Sequence, residues 1–488
     1  MKREGRSVDV EPPFEVIMKV QYVSIRPTEK AEELGLYAFT PELLASVGAR
    51  YSRNNEGLDA IAAKIDFNNT DKSVDSIFKM LDYGHASIAD MTPIALFIDD
   101  ITLFAAYVLW TLSPTAGGQE CSTRYIKMDV SSVATADELG ISEHLKSQYD
   151  NFISDAFKNY QDCLDAWTNI ANTNPQVTKI PEDLLDSQDP KVKKQVERMK
   201  RNYAFDRARV HLPVTAKTGV MMIQSARAWA HIASYLRSHT MKELVILGKM
   251  IAEQLAIGAP RLTKHTSPKI SHGKVIDQEF LILMGQANLF SKSLNDFEFT
   301  HNDCLKTDSF LVVNDLFQNN EDLADSMKYR DNRYSIFGNV AQRISVTFSW
   351  MGISFGEIRD LNRHRTGNRF TSLVPLGFYD AVDQLEGITN ISCEVILNAS
   401  KNCEKDCSNA RDILVHNNNC YIYFTKLGTQ YYFEHTTMAD KFIYEMELRT
   451  GVGAHYKYAE HCRDILAKWF ERYPETKGLI HEGSAEPE

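Results

Sequence analysis

The strongest constraint on this chain is an order of parts that occurs twice. A small turn comes first, Gly84-His85-Ala86-Ser87-Ile88 early and Asn332-Arg333-Tyr334-Ser335-Ile336 late. A strand-like apolar run follows, at 94–98 early and 344–348 late. Next comes a helix-like run closed by a polar, glycine-bearing stretch, at 112–125 and at 363–375. A long helix ending in Leu-Arg closes each set, at Leu236-Arg237 and Leu448-Arg449. Strands and helices recurring in one order predict a tandem duplication of class α+β, each copy an antiparallel sheet with helices packed on it. A chain of 488 residues has room for two such units. The expected boundaries are 14–265 and 275–480, with the polar stretch 262–275 and its breakers Pro268 and Gly273 between them. Two segments read as loops or insertions, 170–192 and the Asn- and Cys-rich 390–420, and both tails (1–13 and 481–488) read as disordered.

Charge narrows the partners. A net charge of −11 disfavours broad, sequence-independent contact with nucleic acid but leaves room for a small anion held by a few local arginines. The N-terminus is polar up to Pro12-Pro13, with no apolar signal core, and the most apolar helix-like run, 244–260, is interrupted by Lys249 and Glu253. The expectation is a cytoplasmic enzyme away from membranes. Of eight cysteines, four cluster at Cys393, Cys403, Cys407 and Cys420, but without a Cys-x2-Cys knuckle they read as free thiols in a reducing compartment, and no metal site is expected.

Three clusters carry chemistry. In the late one, a strand over 346–352 is followed by Ser354 as N-cap of a helix running to Asn362. Arg363-His364-Arg365 then sit in its last turn and Gly367 stands as the C′ residue. Cations at a helix C-terminus suit the dipole without any function; crowded with Arg359 and Arg369, they also suit a bound phosphate or pyrophosphate. In the early cluster, Pro114, Gly117 and Gly118 break a helix, and Gly-Gly-Gln-Glu-Cys-Ser-Thr-Arg offers backbone N–H groups, hydroxyls and a guanidinium, a set that suits a nucleotide phosphate. The third is Asp206-Arg207-Ala208-Arg209-Val210-His211-Leu212-Pro213, whose arginines read locally as solvated. Two long helices complete the pattern: 219–237 carries an apolar stripe of Met222, Ala226, Trp229, Ala233 and Leu236, and its late counterpart carries Met438, Phe442 and Met446. Arg449 continues the late stripe, and a charge there needs a partner or a ligand.

These stretches resemble the flavin-dependent thymidylate synthases, whose signature runs Arg-His-Arg-x-x-Ser-x-Asn-Glu-x-Ser-x-Arg. The early half holds its back portion, Glu120, Ser122 and Arg124; the late half holds its front portion, Arg363, His364 and Arg365. Ala208-Arg209 with Leu212-Pro213 is similar to the family's Ala-Arg-x-x-Leu-Pro element. The resemblance implies reductive methylation of dUMP, or a related uridine nucleotide, at C5, and hence dTMP biosynthesis. FAD would be the cofactor, with methylenetetrahydrofolate and NADPH as co-substrates. It implies that Arg449 faces the pyrimidine and is catalytic. Nucleotide contacts would come from Glu120, Ser122, Thr123, Arg124, Arg209, Asp360, Arg363 and Arg449. Flavin contacts would come from Ser87, Glu120, Arg363, His364, Arg365 and Ser335. Family sites lie between subunits of a homotetramer, so a duplicated chain is expected as a homodimer mimicking that tetramer, with composite sites built from the two halves.

The chain also departs from the family pattern. Leu112-Ser113-Pro114 stands where the early Arg-His-Arg would be, and Leu373 and Pro375 stand where the late serine and final arginine would be. Gln119 replaces an asparagine, and Asp360 replaces a glutamine that resembles a dUMP contact. Ser225 and His231 early, and Met438 and Tyr444 late, align poorly with flavin-contacting asparagines. These substitutions support an alternative reading, a non-catalytic or repurposed nucleotide- or flavin-binding protein on a decayed duplicated scaffold.

Overall fold

The computed structural model describes residues 18–53, 57–79, 86–113, 115–124, 128–295, 307–315, 320–483 and 485–486. The tail 1–13, together with Gly84, His85, Pro114 and Tyr125, lies outside them.

Two antiparallel four-stranded sheets are built from strands in the same order. The first runs β1 (Lys19–Val23), β2 (Pro93–Thr102), β4 (Lys217–Ser225), β3 (Gly117–Glu120). The second runs β5 (Asp308–Asn314), β6 (Ser345–Ser354), β8 (Thr429–Met438), β7 (Asn368–Phe378). A bulge interrupts the central pairing of each, between Ile98 and Ile101 in one and between Met351 and Ile353 in the other. The extra residue needs a positive φ, which Asp100 adopts at 59° and Gly352 at 85°.

In each sheet the two central strands run directly into helices. Thr102 caps helix Leu103–Leu112 by accepting from the Ala105 N–H, and Ser225 caps Ala226–Arg237 through Ala228. Ser354 caps Phe355–Leu361 in a full capping box with Glu357. Helix Ala439–Thr450 follows Met438 without a side-chain cap. Buried apolar residues of both halves share one large continuous cluster, with two small ones beside it, around Tyr458 and around Met199. Backbone hydrogen bonds also cross between the halves, from Val214 N–H to the Thr425 carbonyl and from Gly428 N–H to the Val210 carbonyl.

Several sequence expectations shift. The helix expected over 219–237 is strand up to Ser225, because residues 217–225 pair along β2; only Trp229, Ala233 and Leu236 with Ala226 form the helical stripe, and Met222 is a buried strand residue. Met438 likewise precedes its helix and is exposed. The late strand runs on through its bulge to Ser354. Arg363-His364-Arg365 follow helix Phe355–Leu361, whose C-cap is Asn362. Gly367 is therefore not the C′ residue. It enters β7 at φ +81°, where a Cβ would stand 2.1 Å from the Thr436 carbonyl oxygen. Segment 390–420 is mostly helical (Ser392–Ser400 and Cys403–Val415) and packs on the long helix Glu143–Thr173, with Asn169 donating to Ser392 Oγ at 2.8 Å. Residues 170–173 belong to that long helix, and Gly273 lies inside helix Ile270–Asn295. Tail residues 485–486 are docked: Ala485 N–H donates to the Thr450 carbonyl and Glu486 pairs with Arg207. Among the described residues no helix is long and apolar enough to cross a membrane.

Candidate functional site

The end of helix Leu103–Leu112 and the end of helix Phe355–Leu361 meet between the two sheets. Asn362 donates to the Tyr107 carbonyl at 3.2 Å and to Thr111 Oγ1 at 2.9 Å, which locks one helix end to the other. β3 then returns along β4 close enough that a Cβ on Gly118 would lie 2.2 Å from the Met221 carbonyl oxygen. This approach delivers Glu120 to the junction. Its carboxylate accepts from Trp110 Nε1 at 3.0 Å and pairs with Arg359 of the late half.

Around this junction four arginines converge, two from each half. Arg124 grips Asp206 through two parallel bonds of 2.7 Å and donates to the Gly453 carbonyl at 2.7 Å. Arg209 donates to Thr123 Oγ1 at 3.3 Å and to Asp360 Oδ2 at 3.4 Å. Arg363 donates to Asp360 Oδ1 at 2.5 Å. Arg449 donates to the Asp360 carbonyl at 2.5 Å and from Nε to His364 Nε2 at 2.7 Å, with its guanidinium 5.3 Å from the Tyr458 ring centre. Arg209 and Arg207, read locally as solvated, are both buried. Arg207 lies between the rings of Tyr203 and Tyr456, at 3.5 and 4.1 Å, and pairs with Glu486. A buried arginine and a solvated one look alike in local sequence; the tertiary partner decides burial.

Electrostatics follow from the crowding. Burial raises the Asp206 carboxyl, but Arg124, His455 and Arg209 outweigh it and hold it at about 2. Asp360 is driven further, well below the usual carboxylate range, as Arg363, Arg209 and Arg449 overcome its burial. Burial pushes His364 down to about 3, against the pull of Glu445 and with Arg449 adding to it. The imidazole is therefore neutral at physiological pH and its Nε2 accepts from Arg449. His455 falls to about 4 for the same reasons, burial and then Arg209. Four guanidiniums against Asp206, Asp360 and, beside His364, Glu445 leave the cluster positive, a setting suited to an anionic ligand.

Most of the sequence-picked residues come together. Glu120, Thr123, Arg124, Arg209, Asp360, Arg363, His364 and Arg449 are linked by the contacts above. The Ser122 hydroxyl accepts from the Arg124 N–H at 3.2 Å. Arg365 is exposed, 5.9 Å from the Trp110 ring centre. Ser87 is exposed at the start of its helix, and the Ser335 hydroxyl accepts from the N–H groups of Asp331 and Asn332. The structure does not bring Ser87 or Ser335 into the contacts that link the arginine cluster. Sequence reasoning missed Asp206 as the partner of Arg124 and Trp110 as the partner of Glu120, since neither pairing has a local signature. It also gave no role to His455, whose Nε2 lies 3.2 Å from the Asp206 carbonyl oxygen. Two surface concavities, of about 490 Å³ beside Phe310 and Arg472 and about 920 Å³ beside Tyr149, Phe157 and Tyr160, lie elsewhere.

The four late cysteines are dispersed in packing roles. Cys403 and Cys407 are buried, with burial pushing both thiols up, and Cys403 Sγ lies 3.7 Å from His211 Nδ1.

Residues 36–261 match the family model described as thymidylate synthase complementing protein. Among solved structures, the chain is similar to the UMP/dUMP methylase PolB from Streptomyces cacaoi bound with 5-Br dUMP, at 15% identity over 51% of this chain and 93% of that one, with a TM-score of 0.31. The same methylase bound with 5-Br UMP aligns at 14% identity over the same shares, with a TM-score of 0.30. No curated protein matches the chain. The matched stretch, residues 36–261, holds β2 to β4, the Glu120–Arg124 loop and Arg209, so the similarity to the thymidylate synthase complementing proteins reaches the first half of the cluster.

Proposed function

We propose that this chain is a flavin-dependent enzyme that methylates dUMP, or a related uridine nucleotide, at C5, with methylenetetrahydrofolate as carbon donor and NADPH as reductant. The observation that carries this reading is the meeting of Arg124 and Arg209 from one half with Arg363 and Arg449 from the other around a single anion-bearing junction. One nucleotide site would then be composed within one chain. Arg209 and Arg363 would take the phosphate, supported by Thr123 and Ser122. Arg124, anchored to Asp206 and Gly453, would order the loop beneath it.

Arg449 would hold the pyrimidine carbonyl, where negative charge develops as C5 reacts, and neutral His364 would orient it through the Nε bond. Glu120, fixed by Trp110 and Arg359, would form the wall between base and cofactor. FAD fits part of its expected set. Arg365 presents an exposed guanidinium beside the Trp110 ring, while His364 is turned inward and committed to Arg449. Bound flavin supplies hydride chemistry; the residues here position the nucleotide and exclude water from it. The setting would be cytoplasmic, and two chains would mimic the family's four-subunit assembly.

The test is turnover of dUMP to dTMP with methylenetetrahydrofolate, NADPH and FAD. Arg449→Ala should lower it by about 10²–10³-fold with the circular dichroism spectrum unchanged. Wild-type turnover in that variant removes Arg449 from the chemistry. A second reading, a non-catalytic binder, is favoured by one observation: each of the four arginines is already bonded within the chain. A purified protein that takes up no flavin on titration, yet binds dUMP, supports it.

A further inference from the structure

Asp360 occupies the place that an anionic ligand of the arginine cluster would take. Its two oxygens are held by different guanidiniums, Oδ1 by Arg363 at 2.5 Å and Oδ2 by Arg209 at 3.4 Å. Two arginines each grasping one oxygen is how a pair of arginines holds a phosphoryl group. Arg363 lies only three residues on, just past the helix end; Arg209 lies 151 residues away in the other half. The second aspartate behaves differently. Asp206 is bound bidentately at 2.7 Å with its side chain only 2% exposed, a fixed pair on the floor of the cluster. The Asp360 bridge is at the mouth: its side chain is 13% exposed and that of Arg363 is 34% exposed. The longer Arg209 contact and this exposure leave the Asp360 carboxylate replaceable, whereas its main-chain carbonyl stays engaged with Arg449.

The geometry points to Asp360 as a resident counter-anion that sets the ligand class: its carboxylate fills the phosphate position, and a phosphomonoester dianion is the ligand that gains by displacing it. The inference rests on the nucleotide reading above. Without ligand, the carboxylate relieves repulsion between Arg209 and Arg363. A monoester brings about −1.5 to −2 charges and improves on the carboxylate. A phosphodiester brings one negative charge and gains nothing. A nucleoside leaves the bridge in place.

The experiment measures, by calorimetry above the second phosphate pKa of about 6, the binding of inorganic phosphate, dUMP, the 5′-methyl phosphodiester of dUMP and deoxyuridine. The proteins are wild type, Asp360→Asn and Asp360→Gln, two variants so that one folding failure is not decisive. Removing the resident charge should tighten phosphate and dUMP by about tenfold or more, equivalent to about 1.4 kcal/mol. Deoxyuridine should be unaffected, and the preference for dUMP over its methyl diester should narrow. Unchanged or weaker phosphate binding in both variants overturns the inference. If wild type binds dUMP and the variants bind it no better, the inference falls and the nucleotide reading survives. If the variants gain phosphate but no protein binds dUMP, the nucleotide reading falls and the role of Asp360 survives.

Discussion

The helices that leave β2 and β6 are capped by the same atoms supplied from different places. In the second half, Ser354 gives its N–H and hydroxyl to Glu357, three residues on in the same helix, at 3.0 and 2.7 Å. In the first half, Thr102 gives the same two groups to Glu243, at 3.0 and 2.9 Å, from helix Lys242–Gly258 far along the chain. The local carboxylate is kept charged: burial opposes it, but His461 at 2.7 Å holds it at about 2. Among the described residues no cation is paired with the distant one, and burial raises it to about 7 despite hydrogen bonds from Thr102 and from Tyr423 of the other half. The backbone geometry is repeated while the chemistry that secures it is not. The same split governs the helix ends. Leu103–Leu112 carries no charged residue and hands over to the Glu120–Arg124 loop; Phe355–Leu361 carries Arg359 and Asp360 and hands over to Arg363.

The sharpest way to break this comparison is to truncate the matching Leu-Arg arginine of each half. Arg449 touches His364 and Asp360, whereas Arg237 donates to the Thr266 carbonyl and hydroxyl at 3.0 and 3.2 Å, a helix-end anchor. The large loss of turnover expected for Arg449→Ala, about 4 kcal/mol at most, should be absent from Arg237→Ala, which should cost about 1 kcal/mol of stability instead. Equal losses of turnover would mean that both halves are catalytic.

The caps come next. A carboxyl whose folded pKa is raised stabilises the fold fully below its unfolded value of about 4.5 and loses that contribution as pH rises through about 7. Glu243→Gln should flatten the pH dependence of urea stability across this window and stabilise the protein above it, by up to about 3 kcal/mol. Glu357 has the opposite sign: its contribution is present above about 4.5 and is lost as pH falls through about 2. A Glu243→Gln protein with the wild-type pH profile would show that this carboxyl is not the odd member of the pair.

The smallest effect concerns the bulges. Asp100 holds a left-handed conformation that Gly352 adopts freely in the other sheet. Asp100→Gly should raise stability by up to about 1 kcal/mol and Gly352→Ala should lower it by about 1 kcal/mol, both read from thermal unfolding. Opposite signs would mean that the two bulges are not equivalent.

The parts that the sequence disclosed are those with local signatures. The Ser354 cap, the strand-to-helix order and the clustering of Glu120, Arg124 and Arg363–Arg365 all rest on spacing within a few residues. The strand β4 was concealed because Met222 with Ala226 and Trp229 fits a helical stripe as well as it fits a strand running into a helix; pairing with β2 decided it. The Cys-rich segment was concealed because polar residues there cover one face of two helices whose other face meets Glu143–Thr173 and β7. The partners Asp206, Trp110, His455 and Glu243 have no local pattern at all, since each contact spans a tertiary distance or joins the halves.

The proposed nucleotide site draws on both halves of the chain. Its most direct test is a double-mutant cycle on dUMP affinity, measured calorimetrically, with Arg209→Gln from the first half and Arg363→Gln from the second. If the two guanidiniums share one phosphate, each variant should lose about tenfold or more, and the double variant should lose less than the product of the two. A wild-type affinity in either folded single variant would contradict a site composed from both halves.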